Sequence, residues 1–247
     1  MTNEIPEFNS RTLFFAFSTF TGEQSVYEKW YDEEHIPQVM NTTGMVGAQR
    51  FWPADTKPLN GTEKIDYGHL AMYEIDGSPA GFRNEVKHML MSGDMVLPDY
   101  MVQPFKALFY EAVSAPQFGD AYAGLQNLND RHLWLVFSRR PQDSATFDKW
   151  YDEEHIPQIL SAPGLLRAQR FMPSAVKPLP GVVVPELDHL AVYEIAGDPG
   201  PLREDVKAQL ISGKMVLPEF MNQSFPAMFL RPGSPFFPAT KAATKAG

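Results

Sequence analysis

The chain has 247 residues, 44% of them hydrophobic, enough for one large core or two small ones, and its 30 acidic against 21 basic side chains give a net charge of −9. That balance argues against a nucleic-acid partner, which needs a basic face. Without cysteine, disulfides, thiolate catalysis and cysteine-bound metals are excluded; with no leader-like N-terminus in MTNEIPEFNS and no apolar run near the roughly 18–20 residues of a membrane helix, a cytoplasmic protein away from membranes is expected.

RTLFFAFS (11–18) is short, apolar and aromatic, and reads as a strand. A helix is expected over about 23–42, where Tyr27, Trp30, Tyr31 and Glu34 fall at i, i+3, i+4 and i+7 and Pro37 should end or bend it near His35. Gly44 resets the chain, MVGAQRFWP is a second strand, and a loop carrying KPL follows. HLAMYEI is a third strand ending at Gly77, PAGFRNEVKHMLMS (79–92) a second helix, and QPFKALFYEA a fourth strand. Residues 113–130 read as a linker, after which the whole pattern returns.

It returns at a spacing of 120. Comparing 11–110 with 131–230 without a gap, 47 of 100 positions are identical. KWYDEEHIPQ stands unchanged at 29–38 and 149–158, whereas the ten residues before Lys29 and Lys149 share no identity. The likeness is therefore local, and AQRF, KPL, HLA, YEI and MVLP are the other retained blocks. The order βαββαβ, twice, defines an α+β protein of two ferredoxin-like units in tandem, each with one sheet face covered by helices and one bare face that the other copy would bury. The units span 1–112 and 131–232, with 113–130 between them and a tail over 233–247 that begins as an apolar patch; the last strand, QSFPAMFLRP, is the poorer copy for its prolines.

WYDEEHIPQ after a first strand, then a glycine and AQRF in a second, resembles the dimeric α/β-barrel superfamily, whose EthD-like members carry a W…H-x-P signature at the end of the first helix. The resemblance implies a barrel that is usually built from two chains and here fused within one. It also implies a range of chemistry: cyclases, isomerases, dehydratases, lyases and quinone-forming monooxygenases acting on small aromatic or polyketide-like molecules by proton movement, without metal or cofactor. Haem enzymes among related tandem barrels supply an alternative, a haem-binding or cofactor-free oxidoreductase. A non-catalytic binder of an apolar ligand is the third reading.

His35 and His155 are the candidate acid/base groups. On a regular helix Tyr31 and Asp32 (Tyr151 and Asp152 in the second copy) stand at i+4 and i+3 from them and could orient the ring; the bland reading is a histidine closing the helix on a backbone carbonyl. Arg50 and Arg170, inside strands, either hold a substrate anion or pair with Asp32 or Glu34 and their copies. His69 and His189 share a strand face with Tyr73 and Tyr193 and are candidate substrate contacts or surface strand ends. Trp30 and Trp150 are core or pocket wall. No dedicated metal site is expected, since the i+4 partner of His35 is a tyrosine. The expected partner is a small apolar or aromatic substrate; a homodimer of the fused chain stays open. Trp52 against Met172 and His88 against Ala208 leave room for one pocket to have specialised.

Overall fold

Eight strands form the frame of the computed structural model, which describes residues 10–65, 67–221 and 224–239. They are β1 (Arg11–Ser18), β2 (Met45–Pro53), β3 (His69–Asp76), β4 (Lys106–Ala112), β5 (Arg131–Ser138), β6 (Leu165–Pro173), β7 (His189–Ala196) and β8 (Phe225–Pro232). Within each half the spatial order is β4-β1-β3-β2 and β8-β5-β7-β6, antiparallel throughout. The halves join edge to edge: Tyr110 faces Pro173 and Ala112 faces Phe171 at one seam, and Leu230 faces Pro53 and Pro232 faces Phe51 at the other. Every edge is thereby paired and the sheet closes into a barrel. The fold is the tandem α/β barrel that the resemblance implied.

Closure explains why the strands read as unbroken apolar runs. Both faces of β1 are buried. Leu13, Phe15 and Phe17 point into the barrel, while Phe14 and Ala16 point out to the helices. At one end the interior turns polar, where Arg11, Arg131, Arg167, Glu74 and Glu194 form a buried ion cluster.

The helices are α1 (24–40), α2 (Pro79–Ser92), α3 (144–160) and α4 (Gly200–Ile211). Of the two outcomes expected from sequence, an end or a bend near the histidine, the first does not occur: neither Pro37 nor Pro157 ends its helix. Tyr31–His35 and Trp150–His155 are wide π turns, in which Ile36 N–H and Ile156 N–H donate to the carbonyls of Tyr31 and Tyr151. The ladder is reset there, and each proline falls in the first turn of the segment that follows, where its missing N–H costs nothing.

The KPL loops do more than connect. Thr62–Lys64 runs parallel to β8 of the other half. In the second loop Val183 N–H donates to Phe105 O at 2.9 Å, and Val183 O accepts from Ala107 N–H at 3.0 Å. β8 is eight residues long against seven for β4, but it is the poorer strand in pairing, as its prolines suggested: Pro226 and Pro232 sit near its ends and leave only Ala227–Leu230 to pair with β5, against six paired positions between β4 and β1. The linker is ordered along β6, with Gln117–Phe118 paired to it. Of the tail, Phe237–Pro238 pairs with β2; residues 1–9 and 240–247 lie outside the described ones. Among the described residues no helix is long and apolar enough to cross a membrane.

Candidate functional site

The π turn decides where the motif side chains go. With a hydrogen bond from i to i+5, His35 lies over Trp30 rather than in plain i+4 register with Tyr31. The rings of Trp30 and His35 stack with centroids 4.6 Å apart and 19° between planes; Trp150 and His155 stack at 4.4 Å and 18°. Tyr31 and Tyr151 meet their histidines edge-on at 5.2 and 5.4 Å. Both imidazoles are buried, and burial lowers each to about 4, so both are neutral at pH 7. Neither Nδ1 has a hydrogen-bond partner. The helix-closing role, a bond from Nδ1 to a backbone carbonyl, is therefore not what this atom does.

Asp32 and Asp152 are not brought to the histidines. Asp32 accepts from Arg50 Nε at 2.7 Å and Nη2 at 2.8 Å, and Asp152 accepts from Arg170 at 2.8 and 2.6 Å. These forked pairs are charge-assisted and planar. Arg170 is held by Asp148 as well, at 2.7 Å. The arginines thus have partners within the protein, which leaves the carboxylates no part in orienting the rings and the guanidiniums little freedom to grip a substrate anion. They tie the motif helices to β2 and β6.

His69 and His189 are wholly buried beneath the helices, not surface strand ends. His69 Nδ1 lies 2.9 Å from Tyr27 Oη and 3.3 Å from Ser18 Oγ. In the second half Phe147 replaces Tyr27, and Ser138 Oγ alone reaches His189 Nδ1, at 2.9 Å. Burial, then Arg50, pushes His69 well below its ordinary value; burial, then Arg170, takes His189 to about 3. Ser18 and Ser138 were missed from sequence, although both belong to identical repeat positions at a strand end.

Between helices and sheet each half has a cavity on the same elements, but the two differ in size. Beside His155 the cavity holds about 300 Å³; beside His35 it holds about 40 Å³. Phe14 and Phe82 line the smaller one and cluster with Phe109, with centroids 4.6 to 5.9 Å apart. Trp134 and Leu202 replace Phe14 and Phe82 in the second half, and Trp134 lies against Tyr193 and Phe229. The larger cavity is walled by Trp134, Val136, Val206, Leu210, Met215 and Leu217, with Tyr151 and His155 as its buried polar groups. Tyr151 Oη makes no hydrogen bond of ordinary geometry among the described residues, and burial raises its phenol to about 12 against the nearby Ser138 hydroxyl and Arg170, which lower it. Tyr73 and Tyr193, also unpartnered at Oη, are raised well above 10 by burial. Trp30 and Trp150 serve as stacking platforms beneath the imidazoles. Met95 and Met215, from the MVLP blocks, line the two cavities.

The site offers little to a metal or a haem. Among the described residues no three His, Asp or Glu side chains converge as a ligand set. Haem would need a histidine nitrogen opening on a flat slot, and cations for its propionates. Among the described residues no charged side chain lines the cavity beside His155. The residues present do not fit that group.

Fold and cavity together define a tandem α/β barrel with one open apolar pocket. No protein-family model and no curated protein matches the chain. Among solved structures it is similar to a candidate monooxygenase from Fusobacterium nucleatum, at 10% identity, with 93% of this chain and 94% of that one covered and a TM-score of 0.57. It is similar to an anthrone oxidase-like protein at 11% identity, covering 100% and 99%, with a TM-score of 0.53. A chlorite dismutase variant from Candidatus Nitrospira defluvii matches at 10%, covering 91% and 92%, with a TM-score of 0.52. At such identities the likeness is one of fold.

Proposed function

We propose that the chain is a cofactor-free oxidoreductase that oxygenates a small, flat aromatic compound carrying an acidic C–H or O–H, in the cavity of the second half. The observation that carries this is the pairing of a neutral imidazole, His155, whose Nδ1 has no partner, with a protonated phenol, Tyr151, on the buried and otherwise apolar floor of a cavity of about 300 Å³. Such a pocket suits an aromatic ring with few polar groups.

The two groups divide the work. His155, neutral by burial, accepts the substrate proton. Tyr151, kept protonated by burial, donates to the oxygen on which the anion's charge collects. Transfer between two neutral partners creates an imidazolium–enolate or imidazolium–phenolate pair, and the low dielectric of the cavity strengthens its attraction. The electron-rich anion is then open to dioxygen. For a methylene beside a carbonyl the carbanion adds dioxygen as a peroxide, His155 returns the first proton to it, and loss of the second C–H proton with cleavage of the O–O bond releases water, so that the balance is R₂CH₂ + O₂ → R₂C=O + H₂O. The same groups would serve the isomerase or lyase chemistry that the sequence resemblance also implied; the names of two fold neighbours, one a monooxygenase and one anthrone oxidase-like, favour the oxidative branch. The test is oxygen consumption by the purified chain, with metals chelated, on anthrone and naphthol probes. Uptake that His155→Ala abolishes supports the reading. Tight binding with no uptake on any probe would replace it with the binding-protein reading.

A further inference from the structure

The larger cavity is completed by the other half of the chain. Leu59, Asn60, Gly61 and Thr62, from the KPL loop of the first half, form part of its wall, together with Ser224 before β8. The loop is fixed there by the parallel pairing of Thr62–Lys64 with Phe225–Ala227. The internal repeat supplies a comparison. At the equivalent repeat positions Asn60, Thr62 and Ser224 are Pro180, Val182 and Pro104. All three polar side chains of the open pocket's rim are thus apolar in the other copy of the repeat.

Their placement is graded. Asn60 and Ser224 are exposed and Thr62 is half-buried, whereas Tyr151 and His155 are buried. The polar groups therefore stand at the mouth, and the acid/base pair at the floor. Thr62 Oγ1 donates to Leu59 O at 2.8 Å, which holds the loop and leaves the oxygen's lone pairs open as acceptors. The Asn60 amide and the Ser224 hydroxyl make no hydrogen bond among the described residues. An amide and two hydroxyls, all uncharged, match hydroxyl or carbonyl oxygens rather than a carboxylate, which would call for arginine.

We propose that Asn60, Thr62 and Ser224 form a specificity rim that binds a second oxygen function of the substrate, so that the ligand is an aromatic with oxygen at both ends: one at Tyr151 and His155, one at the mouth. This rests on the function proposed above and narrows its substrate class. It also gives the fusion a reason, because a loop of one half recognises what the other half holds.

The test compares 2-naphthol with 2,6-dihydroxynaphthalene by titration calorimetry or by quenching of tryptophan fluorescence, in the wild type and in Asn60→Ala, Thr62→Val and Ser224→Ala, alone and combined. The wild type is expected to bind the diol about tenfold more tightly than the naphthol, the worth of one or two hydrogen bonds. In the triple variant that ratio should fall close to one, with the melting temperature retained. Thr62→Val is near-isosteric and guards against a folding artefact at the loop. Equal affinity for the two probes in the wild type, an undiminished ratio in the triple variant, or no binding of either probe overturns the proposal. The two readings separate cleanly. A collapsed ratio with no oxygen uptake on any probe upholds the rim and removes the oxidase; uptake lost in His155→Ala with an unchanged ratio does the reverse.

Discussion

At the scale of single residues, the identical decapeptides do not have identical fates. His35 and His155 share sequence, stacking partner and a value lowered to about 4 by burial, but only His155 borders space that a ligand could enter. His155→Ala should therefore cut turnover by about 10²- to 10⁴-fold, the usual worth of general acid/base catalysis, while His35→Ala leaves it within about twofold. Equal losses from the two variants in steady-state assays would overturn the assignment. Tyr151→Phe should lower kcat while its packing persists, because only the donated hydrogen bond is removed. Neither His155, at about 4, nor Tyr151, at about 12, changes protonation near neutrality. The rate of a probe that does not itself titrate should then stay level from pH 6 to 9, and a bell centred on pH 7 would contradict the roles given to both groups. Sequence made His35, His155, Tyr31 and Tyr151 visible because they recur in a retained block. It misdirected Asp32 and Asp152, since i+3 spacing puts a carboxylate near a histidine only on a regular helix, and the bidentate grip of Arg50 and Arg170 is long-range.

At the scale of elements, the π turns and the KPL loops separate what periodicity could show from what it could not. Helix, strand and order followed from apolar spacing. The widened turn did not, because the signal for it is a proline two residues after His35 in a helix that has to continue, which reads equally as a helix end. The loops read as connectors since their strand partners lie on the opposite half. The filled and open cavities turn on the phenylalanine cluster of α2, β1 and β4. Phe82→Leu, the residue of the second half, should enlarge the first cavity at a cost of about 1–2 kcal/mol in urea unfolding. In calorimetry it should add a second, weaker site for 2-naphthol. A stoichiometry still at one would mean that the other half's rim and wall residues, not Phe82, keep the first pocket shut.

At the scale of the whole molecule, the barrel is held shut by a charge cluster that both halves build. Arg11 bonds Glu74 at 2.9 Å and Glu194 at 2.8 Å, and Arg131 bonds the same two carboxylates at 2.7 and 3.0 Å. Gln49 and Gln169 accept from Arg131 and Arg11. Arg167 joins from one half alone, at 2.8 Å from Glu194, because its counterpart is Gly47, where a side chain would run into the ring of Phe236. Apart from Arg167 these residues recur in the repeat, but no sequence pattern says that two strand-end arginines and two strand glutamates meet inside a barrel; that follows only once the seams are known. Burial alone would raise Glu194, and Arg167, Arg11 and Arg131 outweigh it, holding the carboxyl below its ordinary range; Glu74 is held down in the same way. A carboxyl lowered in the folded state contributes stability above its unfolded value, about 4.3, and loses it as pH falls further. The buried histidines act at higher pH. They take up protons in the unfolded chain below about 6.5 but resist them when folded, so His35 and His155 each withdraw up to about 3 kcal/mol as pH drops from 6.5 towards 4. Unfolding free energy from urea titrations should therefore decline in two stages, first through the histidine window and then through the carboxylate one. Glu194→Gln separates the stages. It leaves three buried arginines facing one carboxylate and should cost about 3–5 kcal/mol at pH 7, while the slope between pH 6.5 and 4.5 stays as in the wild type. Glu204→Gln, on an exposed pair, should shift neither stage. An unfolding curve flat from pH 7 to 4 would mean that the four buried histidines are solvated in the folded chain, and with that the neutral base at the cavity floor would lose its physical basis.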